Sequence, residues 1–367
     1  MSFMDFLGWA GGTLGFIVLL WAAAAVWITR RHRISTLPDE RHAAVTTDGW
    51  LLALHRYLPR TEGPGRGPVL LCHGLLANRG NLDLDERRSV ARYLAGMGFD
   101  AWVIELRGSG LSRDANGRRG LGRITFDDYV ERDIPAAIQT ILKETGWEQL
   151  QWVGHSMGGM LLYAYLSNRD DRSIAAAVTI GSPIDFTVLS RTARDLLRLR
   201  PLLRLGWVPL GYMLRGLLPL LRLSRRALLD MGLVSSNLSG AEIGEVLVNV
   251  IEGFGPAGVL EQFGNWVEEG VYVSRDGRRP YGTLTHLRCP LLVIQPSLDN
   301  IAPPDSVRPA VDRAPATEKT YRLFGKVSGD DRDYGHGDIL LSDAARQNVF
   351  PLIADWLIKH APSPPQA

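Results

Sequence analysis

Gly154-His155-Ser156-Met157-Gly158-Gly159 follows the apolar run 150–153 and opens a second apolar stretch, 157–166. A short strand running straight into a helix through G-x-S-x-G predicts a tight turn between them. The glycines permit the sharp backbone path and the close packing beneath it, and the turn lifts the Ser156 hydroxyl clear of the sheet. An ordinary glycine-rich loop carries the same letters. The strand before and the helix after are what separate the two.

Working outward, the runs 69–72 and 99–106 are short, apolar and bounded by turn residues, His73-Gly74 and Arg107-Gly108 respectively. Helical stretches at 85–97 and 126–145 alternate with them, and a strand at 174–180 follows the 157–166 helix. This alternation predicts an α/β fold with a doubly wound, mostly parallel sheet. Residues 43–58, around Asp48-Gly49, read as an opening antiparallel hairpin. From 186 to 285 the strand pattern gives way to Leu- and Arg-rich helix, resuming at 290–295 and 319–324 before a closing helix at 344–359. The expected organisation is a catalytic domain of 39–185 and 286–361, a helical cap or lid insert of 186–285, and a short disordered tail at 362–367. Residues 1–38 are expected to form an N-terminal transmembrane anchor and basic linker.

That first segment carries no charge from Phe6 to Thr29, while Arg30, Arg31 and Arg33 follow at once. As a helix it would be roughly 36 Å long, enough for a hydrocarbon core of ~30 Å. Trp9 and Trp27 stand near its ends, where interfacial rings belong. A cleaved signal peptide wants positive charge before its apolar region, and only Asp5 precedes this one. The expectation is an uncleaved transmembrane anchor with the catalytic domain on the cytoplasmic side, a hydrophobic helix packed on protein being the other alternative. Cys72 and Cys289 fit buried thiols in a reducing compartment. A net charge of +2, with no aromatic-interleaved basic strip and no zinc-finger spacing, argues against a nucleic-acid partner.

A serine hydroxyl needs a base within hydrogen-bond reach, and the base needs a third group to fix its tautomer. His336, in Asp333-Tyr334-Gly335-His336-Gly337-Asp338, follows the last strand in a loop able to reach back over the sheet. It is the candidate base. Asp299 ends the strand after the insert and is the favoured acid, with Asp185, after the preceding strand, as its rival. Asp338 is expected to serve the histidine loop's own hydrogen bonding, and His73 and His155 to shape neighbouring loops. Backbone N–H groups of Leu75, after His73-Gly74, and of Met157 are placed to receive a developing oxyanion.

With these stretches in view, the chain resembles the α/β hydrolases, and most closely their acid lipase and esterase branch. The matching segments are 48–56 (DGWLLALHR), His73-Gly74-Leu75-Leu76, 107–112 (RGSGLS), 154–159 and 334–338 (YGHGD). The resemblance covers about residues 43–359 and implies a Ser156, Asp299, His336 triad, an acyl-enzyme, no cofactor or metal, and a lipid-like ester substrate. Two departures stand out. Gly335 occupies a position where acid lipases usually carry asparagine, and the insert is rich in arginine. Monoacylglycerol lipases and polyhydroxyalkanoate enzymes have similar motifs, although Ser156 argues against the cysteine-dependent synthases. Haloalkane dehalogenases and epoxide hydrolases of this fold need a carboxylate where Ser156 stands.

Between Arg191 and Arg226, nine arginines face one acid, Asp195, for a local charge of +8, leaving −6 on the remainder of the chain. Interleaved leucine pairs make this a candidate lipid-facing surface, while cap helices packed by their leucines with solvated arginines would read identically. The functional expectation is a carboxylic ester hydrolase acting on apolar esters near a membrane. Acyl transfer and thioester hydrolysis use the same triad, and a non-catalytic binding module could share the scaffold.

Overall fold

Strands that are buried on both faces need apolar residues throughout, and the central runs meet that demand. In the computed structural model, Pro68–Cys72 (β3), Asp100–Ile104 (β4), Leu150–His155 (β5) and Leu291–Pro296 (β7) are buried along their whole lengths. With Glu40–Val45 (β1), Leu51–Tyr57 (β2), Ile174–Ile180 (β6) and Lys319–Phe324 (β8), they form an eight-stranded sheet of order β1-β2-β4-β3-β5-β6-β7-β8. Only β2 pairs antiparallel, with β1 and with β4; the other pairs are parallel. The β1–β2 hairpin turns through Gly49, whose φ of 84° suits glycine. The structure describes residues 3–62, 65–118, 120, 124–188, 207–208, 210–217, 226, 228–230 and 232–365, without every side chain of the first helix.

Helices cover both faces. Val90–Gly96 (α2) and Phe350–Lys359 (α8) share one buried cluster with Phe99, Val153 and Ile294. Ile134–Thr145 (α3) and Met157–Asn168 (α4) pack on the other face with Trp102 and Trp152. Parallel register sets Cys72 beside Gly154, His155 beside Ile180 and Ile180 beside Ile294. The loops leaving β3, β5, β6 and β7 therefore gather at one carboxyl edge, where open α/β sheets place their ligands.

Among the described residues between β6 and β7 are the helices Leu210–Leu217 (α5), Gly240–Asn249 (α6) and Ala257–Glu269 (α7). Ser239 caps α6 through a capping box with Glu242. Buried Arg215 of α5 donates to the carbonyls of Leu247, Val248 and Ile251, closing the far end of α6. A guanidinium is well suited there, because it meets both the orphan carbonyls and the negative end of the helix dipole. Trp266 of α7 meets Phe126 edge to face and packs at a tilt against Phe186, so this stretch is built into the main core. Of the nine arginines in 191–226, Arg191, Arg194, Arg198, Arg200, Arg204, Arg222 and Arg225 lie outside the described residues.

Phe3–His32 forms one helix (α1), but a transmembrane anchor is not supported: among the described residues no helix is long and apolar enough to cross a membrane. The last turns of α1 lie on the insert instead. Ala25 and Ile28 are buried, Trp21 lies over Gly216 and His32 over Gly244, where any Cβ would collide with them. Asn249 ties the end of the helix down, donating to the His32 carbonyl (2.8 Å) and accepting from the Ile34 N–H (2.9 Å). A stripe at 21, 25, 28 and 32 is one helical face, so the apolar character that suggested a span partly serves protein packing.

Candidate active site

Ser156 sits between β5 and α4 at φ 53° and ψ −118°. Such a backbone costs a non-glycine residue on the order of 1–3 kcal/mol and persists only where its surroundings over-determine it. Here they do. A Cβ on Gly154 would lie 2.5 Å from the Gly158 carbonyl carbon, and one on Gly158 would lie 2.1 Å from the Cys72 carbonyl oxygen. The Ser156 N–H also donates to the Ile180 carbonyl at 2.8 Å.

His336 Nε2 lies 2.9 Å from Ser156 Oγ. On its other side, Nδ1 is 2.6 Å from Asp299 Oδ2, an acceptor-only carboxylate that assigns the ring proton to Nδ1. The second oxygen, Asp299 Oδ1, accepts the N–H groups of Ile301 (2.9 Å) and Ala302 (2.8 Å), and the side chain is fully buried. The structure thus brings Ser156, His336 and Asp299 into one hydrogen-bonded chain. Asp185 is not part of it: its carboxylate accepts from the Thr187 N–H and hydroxyl and stands 3.6 Å from Arg313.

Asp338 serves the histidine loop, accepting from the Gly335 N–H (3.0 Å), and it also reaches the insert through the Ser235 N–H and hydroxyl and the Asn237 amide. Burial holds its carboxyl above the ordinary range. The departure at Gly335 has a steric cause: a Cβ there would meet the Val234 carbonyl carbon at 2.8 Å and Asp338 Oδ1 at 2.9 Å. The insert runs too close for asparagine.

The Leu106 N–H donates to His73 Nε2, and His73 Nδ1 then donates to the Gly74 carbonyl, fixing the turn before Leu75. Asn81 Oδ1 accepts the Gly74 N–H (3.0 Å) and lies 2.9 Å from His155 Nδ1, while His155 Nε2 lies 2.9 Å from the His336 carbonyl. Burial first, and His336 next, push His155 down to about 3, so this ring stays neutral. Leu75 lines the same cavity as Ser156 and His336. Met157 is the first residue of α4, so its N–H has no intrahelical acceptor and sits at the positive end of the helix dipole. Sequence reading missed Asn81, and with it Asn78 and Glu252. For the asparagines the signal was their place, either side of Arg79-Gly80, in the turn-prone stretch after His73.

Beyond Ser156 a narrow cavity runs under α6 and is lined by Leu228, Val234, Ile243, Val246, Leu247 and Leu341. Apart from the asparagine and histidines at its mouth, it offers a ligand hydrocarbon contact. Among the described residues, no group of three or more His, Cys, Asp or Glu is arranged to hold a metal ion.

A family model described as the α/β hydrolase fold matches residues 67–327. The chain belongs to this family. Among curated relatives, this α/β hydrolase is 34% identical over 142 residues to Lipase 3 of Drosophila melanogaster, covering 36% of each chain. It is 36% identical over 131 residues to the lysosomal acid lipase/cholesteryl ester hydrolase of Homo sapiens, covering 33% of each. The matched stretch thus spans about a third of the length of these relatives. A thermophilic esterase from Thermogutta terrifontis superposes with a TM-score of 0.58 at 20% identity, over 88% of this chain and all of that one. A soluble variant of monoglyceride lipase from Saccharomyces cerevisiae gives 0.61 at 18% identity, over 90% and 97%. At such identities these two speak for the fold alone.

Proposed function

We propose that this α/β hydrolase is a serine-dependent carboxylic ester hydrolase acting on esters with an apolar acyl chain. The observation that carries the reading is the chain Ser156 Oγ, His336 Nε2, His336 Nδ1, Asp299 Oδ2, with spacings of 2.9 and 2.6 Å at the foot of an apolar cavity. In the proposed mechanism His336 accepts the Ser156 proton as Oγ attacks the ester carbonyl. The oxyanion rests on the N–H groups of Leu75 and Met157, and His336 then returns the proton to the leaving alcohol. Water, activated by the same ring, releases the acid from the acyl-enzyme. A fluorophosphonate probe should label the wild-type protein and fail to label Ser156→Ala. Labelling that survives the substitution overturns the reading.

The substrate class follows from the cavity. Each methylene moved out of water contributes about 0.8 kcal/mol, so kcat/KM should climb steeply from acetyl to octanoyl p-nitrophenyl esters. Val246→Phe, which fills the cavity beneath α6, should flatten that climb while sparing the acetyl ester. A wild-type series with no chain-length trend contradicts an acyl site here.

We further propose that the outer face of α1 rests on a lipid surface. Trp9 (76% exposed), Phe16 (61%), Leu19 (69%) and Trp27 (65%) leave a long apolar flank in solvent, and exposed Arg30, Arg31 and Arg33 follow it. A flank of this kind beside cations suits the interface of an anionic bilayer. The free Cys72 and Cys289 fit the cytoplasmic side. Full-length protein should float with phosphatidylserine-containing vesicles, and Leu19→Asp with Trp27→Asp should reduce the bound fraction at least ~10-fold. Equal flotation of both proteins removes the membrane from the proposal.

A further inference from the structure

The loop that carries the Leu75 N–H is strained one residue later, since Leu76 has a φ of 59° in a region that bulky side chains rarely occupy. What holds it there comes from the insert. The Glu252 N–H donates to the Leu76 carbonyl (2.8 Å), Ala77 bridges to Ile251, and the Asn78 N–H donates to the Val250 carbonyl (3.1 Å). The 250–252 backbone is thus laid beside 76–78 as a short antiparallel ladder.

The side chain of Glu252 closes the arrangement. Its Oε1 accepts from Asn78 Nδ2 (3.1 Å) and from the Gly110 N–H (2.8 Å), in the loop after β4. One buried carboxylate oxygen therefore pins the loops after β3 and β4 to the insert. The stretch 232–237 does the same for the base, through Gly232 O to the His336 N–H (2.8 Å), Leu233 O to the Gly337 N–H (2.8 Å), and the Ser235 contacts of Asp338.

Building on the proposed esterase chemistry, we propose that Glu252 is a positioning residue for the oxyanion site, holding the Leu75 N–H on target through Leu76, Asn78 and Gly110. It touches no reacting atom. Its effect belongs to the transition state, because a donor displaced by about 1 Å can cost on the order of 100-fold in rate. The acyl chain, bound under α6, should bind the ground state as before.

The test uses the full chain. Glu252→Ala should lower kcat for a p-nitrophenyl ester by about 10- to 100-fold with KM little changed, and should weaken an acyl trifluoromethyl ketone in proportion. That ketone forms a tetrahedral adduct and therefore reads the oxyanion site. Glu252→Gln keeps Oε1 and should restore most of the activity. Asn78→Asp retains the acceptor that its own turn uses, removes the donor and opposes two carboxylates, so it should lower kcat with less risk to folding. Hydrogen exchange of peptides covering residues 75–79 should rise in both damaging variants, independently of turnover. An active wild type whose Glu252→Ala and Asn78→Asp variants keep their kcat overturns this inference alone, as does a kcat loss with unchanged ketone affinity. A wild type with no esterase turnover overturns the proposed chemistry and this inference together.

Discussion

Replacing Ser156 by alanine should lower turnover of p-nitrophenyl octanoate by about 10⁶-fold, the scale seen when a triad nucleophile is removed from other serine hydrolases. The size of the effect comes from the coupling in the chain of hydrogen bonds. His336 is held by Asp299 and faces Ser156 Oγ, so a base without its nucleophile has nothing to activate in the position it commands. What survives in Ser156→Ala is oxyanion stabilisation and substrate binding, which retain roughly 10³- to 10⁴-fold over water in comparable enzymes. The fold should be intact, because the alanine keeps the Cβ of the original side chain and the Ser156 N–H bond to Ile180 does not involve the hydroxyl. Matched thermal unfolding of the two proteins checks that. A variant keeping a tenth of the wild-type rate would remove Ser156 from the reaction.

How much of this was legible in the sequence depends on how local the cause is. The sheet was legible because β3, β5 and β7 are buried on both faces and must be apolar throughout, and the Ser156 turn because a Cβ on Gly154 or Gly158 would lie only 2.1 to 2.5 Å from neighbouring backbone. Element ends were less so. The helix expected at 126–145 contains a π-helical stretch, Tyr129–Asp133, just ahead of Pro135, whose ring excludes the regular hydrogen-bond pattern. The stretch expected at 85–97 becomes helical only at Val90, after the Asp85 side chain takes the N–H groups of Arg87 and Arg88 and Ser89 caps the start. The closing helix breaks before α8, where Pro351 fits a first turn and not an interior.

Contacts between distant segments that no motif marks were out of reach. Asn78 and Glu252 are 174 positions apart, and no periodicity announces that they meet. Arg215 looked like one more cation of a lipid-facing surface, yet it is buried against the carbonyl end of α6. The N-terminal helix misled for a related reason. An uncharged run of this length has the same composition whether lipid surrounds it or protein covers one stripe, and only the packing of Ala25 and Ile28 on the insert distinguishes the cases.

The choice between two acids, open from spacing alone, gives the second large effect. Asp299→Asn should lower kcat by about 10⁴-fold, while Asp185→Asn should leave it near the wild-type value. The argument turns on tautomers. Asp299 Oδ1 accepts the N–H groups of Ile301 and Ala302, so an asparagine in its place keeps its carbonyl oxygen on those two donors. Its NH₂ group then faces His336 Nδ1, where the carboxylate stood at 2.6 Å. Two donors cannot share that contact, so the ring proton moves to Nε2 and the nitrogen facing Ser156 can no longer accept. Asp185, engaged with Thr187 and Arg313, has no such hold on the ring. Steady-state kinetics on both variants decide the matter: a larger loss in Asp185→Asn than in Asp299→Asn would transfer the role to Asp185.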